Sequence, residues 1–418
     1  YGVISAALEA GEITKVYGAS HGIKGVLDDK LYVMDEEDPE ELRLLLHTPS
    51  SELGSCRYKI ADPETDDTDY KRILEIFKKY NVRYFFYNGG NDSMDTCNKI
   101  SRYMESVGYE CRVMGVPKTI DNDLYGTDHC PGFASAAKYI ATSCMEINKD
   151  ARVYDNGMIT VVEIMGRHAG WLAASAALAT EYGSGPDLIY LPERYFDMDK
   201  FLADVDALYK KNGKVFVAVS EGIHYADGSF VSEAKTSASD GFGHAQLGGL
   251  AALLTSIVKE HFPGVKVRGI ELSLLQRCGA HLASKVDIDE AFGAGEEAVK
   301  QAVSGCTGCR VRIALRSRVL IQLLGDCVER LLNLVGSSLD GGNVVALLSF
   351  LQLFDGCQNR CLVALGNLIA HLVQRLFRLV NDLIGGVAGI DLVLAGLVLC
   401  RILLGLLDGL VDVFLGHV

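Results

Sequence analysis

From Cys306 to Val418 the chain has no lysine, proline, tyrosine, methionine or tryptophan, and Glu329 is the one glutamate there. Leucine, valine and glycine dominate instead, and six of the twelve cysteines fall in this segment. Globular domains seldom lose so many residue types together. Residues 306–418 are therefore expected to be a wrong-frame translation or a joined fragment, which resequencing the gene around codon 305 would test. The run LIGGVAGIDLVLAGLVLC (383–400) barely reaches bilayer length, and Asp391 at its centre costs about 2.5–3.5 kcal/mol on insertion scales. No membrane anchor is expected. CTGC (306–309) and CQNRC (357–361) lack a second half at zinc-ligand spacing, which excludes a familiar zinc site.

Basic residues are in deficit as well: 40 Lys and Arg face 54 Asp and Glu, for a net charge of −14. Nucleic acid and anionic membranes want a basic face, so neither is expected as a partner. Any phosphate site must then be locally basic. A charged-then-apolar leader is missing too, and the scattered cysteines read as reduced thiols of a cytoplasmic protein. Tyr1 stands where an initiator methionine would, and YGVISAALEAGEITKVYG has a helical apolar period followed by a short strand. A start inside a structural unit is expected. The length of 418 residues allows two core-bearing domains.

What the first 305 residues do contain is a series of apolar runs of strand length, each followed by a polar turn and a helical pattern. VRYFFY (82–87) leads into NGGNDS, MITVVEI (158–164) into MGRHAG and the helical WLAASAALA, and KVFVAVS (214–220) into EGIHYADG. This alternation predicts an α/β fold with mainly parallel sheets covered by helices. Ligands of such sheets sit beyond the carboxyl ends of the strands. Gly89–Ser93, Lys118–Asp123, Gly166–His168 and Glu221 all fall there.

No G-x-x-x-x-G-K-[ST] motif occurs, and GAGEEAV (293–299) completes no dinucleotide fingerprint. GGNDS (89–93) instead sets Gly89, Gly90 and a capping Ser93 between strand and helix, where backbone N–H groups can approach a phosphate. A plain glycine turn is the alternative. Asp92 would repel a polyphosphate chain, which predicts a short donor, and Asn91 and Asp92 offer hard oxygens suited to Mg²⁺. In PKTIDND an extended segment would put Thr119, Asp121 and Asp123 on one side. An aspartate there could accept a hydroxyl proton while Lys118 stabilises charge on a transferred phosphoryl group. Alternatively, Lys118 is half of an internal ion pair. Arg167, Arg268 and Arg277 supply guanidinium forks for phosphate, although Arg167 and Arg277 could equally be surface ion pairs. Glu221 could accept hydrogen bonds from a sugar or cap a helix. His168 reads as a packing or capping residue and Trp171 as core.

Together GGNDSMDT, GVPKTIDNDL, VVEIMGRHAGWLAA, SEGI and ELSLLQRCGAH resemble the phosphofructokinase family, and the first two are similar to its pyrophosphate-dependent branch. The resemblance runs from near residue 1 to about 305. It implies two Rossmann-like three-layer domains with the active site between them. The donor domain would be 1–132 plus roughly 276–305, the fructose 6-phosphate domain 133–275, and 306–418 would have no counterpart. It further implies Mg²⁺-dependent transfer from pyrophosphate to the 1-hydroxyl of fructose 6-phosphate.

By motif, Asp121 would be the proton acceptor, assisted by Lys118 and Arg167. Thr119, Met165, Gly166, Glu221 and Arg277 would hold the sugar phosphate, with Arg268 lent to a neighbouring subunit of a homodimer or larger oligomer. Gly89, Gly90, Asp92, Ser93 and Lys118 would hold the donor, and Asn91 and Asp123 the metal. Asp92 and Lys118 replace two glycines of ATP-using members, so an ATP-dependent enzyme is the first alternative and a catalytically silent regulatory subunit the second. Met158 stands where many ATP-dependent members have an arginine. The family's first strand and Gly-Gly loop would precede Tyr1, and its C-terminal segment would replace the leucine-rich one. On those grounds the chain as written is expected to be inactive or unstable.

Overall fold

A computed structural model describes residues 1–232 and 249–313. The expectations for the leucine-rich segment beyond 313, its apolar run and CQNRC, lie outside the described residues. Helix α1 (Gly2–Glu9) and strand β1 (Tyr17–Ala19) realise the helix-then-strand pattern at the start; α2 (Ile23–Leu27), β2 (Leu31–Val33), α3 (Pro39–Leu44) and α4 (Thr68–Lys79) follow. Then come β3 (Tyr84–Gly89), α5 (Asn91–Ser106), β4 (Arg112–Pro117), α6 (Phe133–Val153), β5 (Met158–Ile164), α7 (Trp171–Ser175) and β6 (Leu188–Tyr190). The rest are α8 (Met198–Asn212), β7 (Lys214–Ser220), α9 (Leu250–His261), β8 (Lys266–Glu271), α10 (Lys285–Val303) and β9 (Cys309–Arg310).

Two parallel sheets carry the architecture, in the orders β3-β4-β9 and β6-β7-β5-β8. Side chains alternate along a strand, so each sheet needs cover on both faces. In the first sheet, Phe85, Tyr87 and Val113 pack toward α4 and α5. Their neighbours Tyr84, Phe86, Met114 and Val116 pack toward α1 and α10. In the second, Ile159, Val161, Val215 and Val217 meet α8 and α9 through Phe201, Val205, Leu254 and Val258. Val162, Ile164 and Ala218 meet α6 and α7 through Ile140, Cys144 and Leu172. Both are three-layer α/β units.

Every residue of β5 is buried, Thr160 and Glu163 included, which is why the run is mostly apolar on both faces rather than alternating. Helices α1 and α10 approach closely: a Cβ on Gly2 would lie 2.1 Å from the Phe292 carbonyl oxygen, and one on Gly295 would lie 2.5 Å from Val3 N. The ordered body continues past the composition break at Gly305. Val113 N–H donates to Thr307 Oγ1 at 3.0 Å, β9 pairs with β4, and Val311 and Ile313 join the core under α10.

Among the described residues no helix is long and apolar enough to cross a membrane. The eight cysteines there, Cys306 and Cys309 included, are free thiols.

Candidate active site

Register places the polar turns. Gly89 pairs with Pro117 at the ends of β3 and β4, so Gly90 and Lys118 leave the first sheet side by side. Ile164 pairs with Ser220 at the ends of β5 and β7, so Met165 and Glu221 leave the second in the same way.

At the first exit the backbone doubles back tightly, since a Cβ on Gly89 would lie 2.2 Å from Ser93 Oγ. Helix α5 starts at Asn91 with Gly90 as its N-cap and no side-chain cap. Ser93 therefore does not cap the helix as expected; it sits inside the first turn and packs over Gly89. Asp92 lies in that first turn too. Lys118 N–H donates to the Gly89 carbonyl at 3.0 Å, tying the two exits together.

Beyond Lys118 the chain turns where an extended segment was expected. Asn122 takes a left-handed φ of 54°, stabilised by its Oδ1 accepting from Cys130 N–H at 2.8 Å. Asp121 N–H donates to Thr119 Oγ1 at 3.2 Å, a local hydroxyl-to-backbone bond that closes the turn. Asp121 and Asp123 end up close neighbours even so. Asn91 Nδ2 donates to Asp123 Oδ2 at 2.9 Å, linking this turn to α5. Beneath it, the N–H of Gly132 donates to buried Asp287 of α10 at 3.0 Å, and that of Ser135 donates to the same carboxylate. Buried His129 lies between Asp287 and Glu290.

At the second exit two loops interlock. Gly166 N–H donates to Glu221 Oε1 at 3.2 Å, and Ser220 Oγ donates to the Gly166 carbonyl. Gly166 has a φ of 134°, and a Cβ there would lie 2.6 Å from the Ala169 carbonyl oxygen. A Cβ on Gly222 would lie 1.9 Å from the Arg167 carbonyl oxygen, so only glycine permits this approach.

Electrostatics joins the two exits. Burial chiefly, and then the Asp123 carboxylate, raises the pKa of Asp121 above the ordinary aspartate value; the Thr119 hydroxyl, Lys118 and Arg167 oppose this. Burial likewise raises Glu221, against the Gly166 N–H, Arg167 and Arg277, with Asp121 adding to the rise. Lys118 is in contact with solvent, yet it stands in a recess where surrounding protein lowers its ammonium pKa. Asp121 counteracts that shift, and the positive charges of Arg277 and Arg57 reinforce it. Four cations (Arg57, Lys118, Arg167 and Arg277) and three carboxylates (Asp121, Asp123 and Glu221) thus share one electrostatic neighbourhood.

Other expected residues lie apart. Arg268 is on β8, the outer strand of its sheet, where Nη1 pairs with Asp150 at 2.9 Å. His168 is exposed in the loop before α7, its ring 6.1 Å from that of Phe230. Trp171 is not core: it is 55% exposed and meets Phe133 edge-on, because it faces outward from the short α7. A cavity of about 280 Å³ lined by Thr255, Lys259, Gly269 and Glu271 shares no residue with the charged cluster.

Sequence reading missed Arg57 and Gln276. Arg57 follows the turn residues Gly54 and Ser55, a weak signal; Gln276 carried none beyond its place before Arg277.

As a metal site, the first exit supplies the amide of Asn91 and the carboxylate of Asp123, with Asp121 beside them. Among the described residues no three acidic, histidine or cysteine side chains could hold an ion by themselves. A hard cation completed by phosphate and water oxygens fits this donor set, and it would relieve the Asp121–Asp123 repulsion.

Parallel three-layer sheets with cations and carboxylates gathered beyond the carboxyl ends of their strands define an α/β protein of the kind that takes its ligands at that edge. Residues 1–301 match the sequence model of the family Phosphofructokinase, and the chain belongs to that family. It is 45% identical over 296 residues to the pyrophosphate–fructose 6-phosphate 1-phosphotransferase of Halomonas elongata, covering 70% of each protein. Among solved structures, the pyrophosphate-dependent phosphofructokinase of Nitrosospira multiformis is 40% identical with a TM-score of 0.64, over 73% of this chain and 72% of that one. The enzyme of the same name from Marinobacter aquaeolei is 38% identical, also with a TM-score of 0.64, over 73% of this chain and 72% of that one.

Proposed function

We propose that this chain transfers a phosphoryl group from pyrophosphate to the 1-hydroxyl of fructose 6-phosphate in the cytoplasm, releasing fructose 1,6-bisphosphate and phosphate. The carrying observation is the position of Asp121: a carboxylate of raised pKa, on a turn held by Thr119, flanked by Lys118 and Arg167. Such a group takes the proton from the attacking hydroxyl more readily than an ordinary aspartate does. Lys118 and Arg167 then face the charge that spreads over the transferred group.

The first sheet would be the donor side. The backbone N–H groups at Gly89, Gly90 and the start of α5 suit phosphate oxygens, with Ser93 beside them and Arg57 near Lys118. Asp92 restricts that side to a short donor. The second sheet would be the sugar side, where Met165, Gly166, Arg167, Glu221 and Arg277 converge and Thr119 closes the floor. Asn91 and Asp123 would hold Mg²⁺, which when bound neutralises donor-phosphate charge. Arg268, engaged with Asp150 rather than with the cleft, suits service to a second copy of the chain in a dimer or larger oligomer.

Steady-state assays on a full chain carrying the family's first strand, Gly-Gly loop and C-terminal segment, with fructose 6-phosphate, Mg²⁺ and either pyrophosphate or ATP, test the reading. Turnover with pyrophosphate is expected; turnover with ATP alone sinks it.

A further inference from the structure

The two guanidinium groups of the sugar side stand on segments far apart in sequence: Arg167 in the loop after β5 with Met165, and Arg277 at the end of the turn 273–277. One uncharged side chain joins them. Gln276 is 2% exposed, and both ends of its carboxamide are engaged. Its Oε1 accepts from Met165 N–H at 3.2 Å, and its Nε2 donates to the Ser273 carbonyl at 2.9 Å.

Ser273 takes a left-handed φ of 48°, a conformation that non-glycine residues hold only where surrounding contacts enforce it. The bond to Gln276 is one such contact, and Leu272 N–H donating to the Glu163 carbonyl at 3.2 Å is a second. Two ties thus fix the turn against the end of β5, the Leu272–Glu163 backbone bond and the Met165 N–H bond to Gln276 Oε1, and the second is the one carried by a side chain. Arg277 follows directly, and its charge acts on both Lys118 and Glu221.

We infer that Gln276 is a positioning residue for sugar-phosphate binding, setting the spacing between Arg277 and the Met165–Arg167 loop through its two amide hydrogen bonds. Gln276 touches neither reacting group and acts through Arg277 and Met165. A guanidinium that grips phosphate through two parallel bonds tolerates little displacement, so loosening the turn weakens the sugar phosphate and leaves the donor side as it was.

The inference rests on the fructose 6-phosphate reading, and one set of measurements separates the two. In the full chain, Gln276→Met keeps the length and apolar bulk but loses both bonds, and Gln276→Glu keeps an acceptor for Met165 N–H. For Gln276→Met we expect the KM for fructose 6-phosphate to rise about tenfold, in keeping with an unmade buried hydrogen bond. The KM for pyrophosphate should stay within about twofold, since the donor side keeps its own contacts. Gln276→Glu should restore part of the sugar affinity. Thermal shifts induced by fructose 6-phosphate alone and by pyrophosphate alone give the same comparison on whatever fraction of a variant folds. An unchanged fructose 6-phosphate KM overturns the inference, as does a parallel rise in both KM values, which marks a general packing defect. A wild-type chain that ignores fructose 6-phosphate overturns both this inference and the reading beneath it.

Discussion

Asn91 Nδ2 donates to Asp123 Oδ2 at 2.9 Å, so the first residue of α5 is fastened to the far end of the turn that carries Asp121. Asp123 thereby stays near Asp121 and holds its pKa up. Asp123→Asn removes that like charge. In the metal-free protein the Asp121 carboxyl, followed by NMR, should then titrate at lower pH than in wild type, because a like charge beside it has gone. An unchanged or upward-shifted titration would show that Asp123 does not act on it.

Asp121→Asn should lower kcat by about 10²- to 10⁴-fold, the usual worth of a positioned base, with smaller changes in either KM. The fold should not suffer. A carboxyl whose pKa is raised in the folded state loses stability as pH rises through that value, so its amide is equally stable or more so at neutral pH. Assay and melting curve together check this, and substantial residual turnover in a folded variant would exclude Asp121 as the base.

Lys118→Gly with Asp92→Gly is expected to weaken turnover with pyrophosphate and to admit ATP. Loss of a charge aligned with the transferred group typically costs about 10²- to 10³-fold in kcat. The described ion pairs include none between Lys118 and Asp92; Asp121, Arg277 and Arg57 are the charges acting on the lysine. Any coupling between the two changes should therefore run through the donor they share. Identical donor kinetics in wild type and double variant would make the pair structural.

Glu163 provides a stability test away from the chemistry. Buried in β5, it accepts from Ala251 N–H at 2.8 Å at the start of α9. Burial raises its pKa from 4.5 to about 7, with Glu271 and Glu221 adding to the effect. Its contribution is full below the unfolded value of 4.5 and is lost as pH rises through about 7. Glu163→Gln keeps an acceptor for Ala251, so its unfolding free energy in urea should fall less than that of wild type between about pH 4.5 and 7. The difference should be on the order of a few kcal/mol. Parallel pH dependence in the two proteins contradicts it.

Strands β5 and β7 were legible to the residue, because MITVVEI and KVFVAVS are apolar runs with both faces covered. The clusters at their ends were legible for the same reason, since a parallel strand end fixes where its loop emerges. Local conformation was less so. The turn at Thr119–Asp123 depends on a left-handed Asn122 whose amide is held by Cys130 eight residues on. Trp171 reads as core by residue type, yet its exposure is decided by the direction α7 faces. Gln276 is invisible to any local pattern, because its partner Met165 lies 111 residues away. The short β9 carries neither period nor propensity; β4 imposes it.

Asp287 grips the backbone at Gly132 and Ser135 from 155 and 152 residues downstream. A nascent chain therefore cannot fasten the floor beneath Asp121 until the whole second sheet and the first turn of α10 have been synthesised. Closures across such separations come late in folding and carry its entropic cost. The second sheet can assemble from the segments between, so the turn that carries Asp121 is among the last parts of the body to be locked.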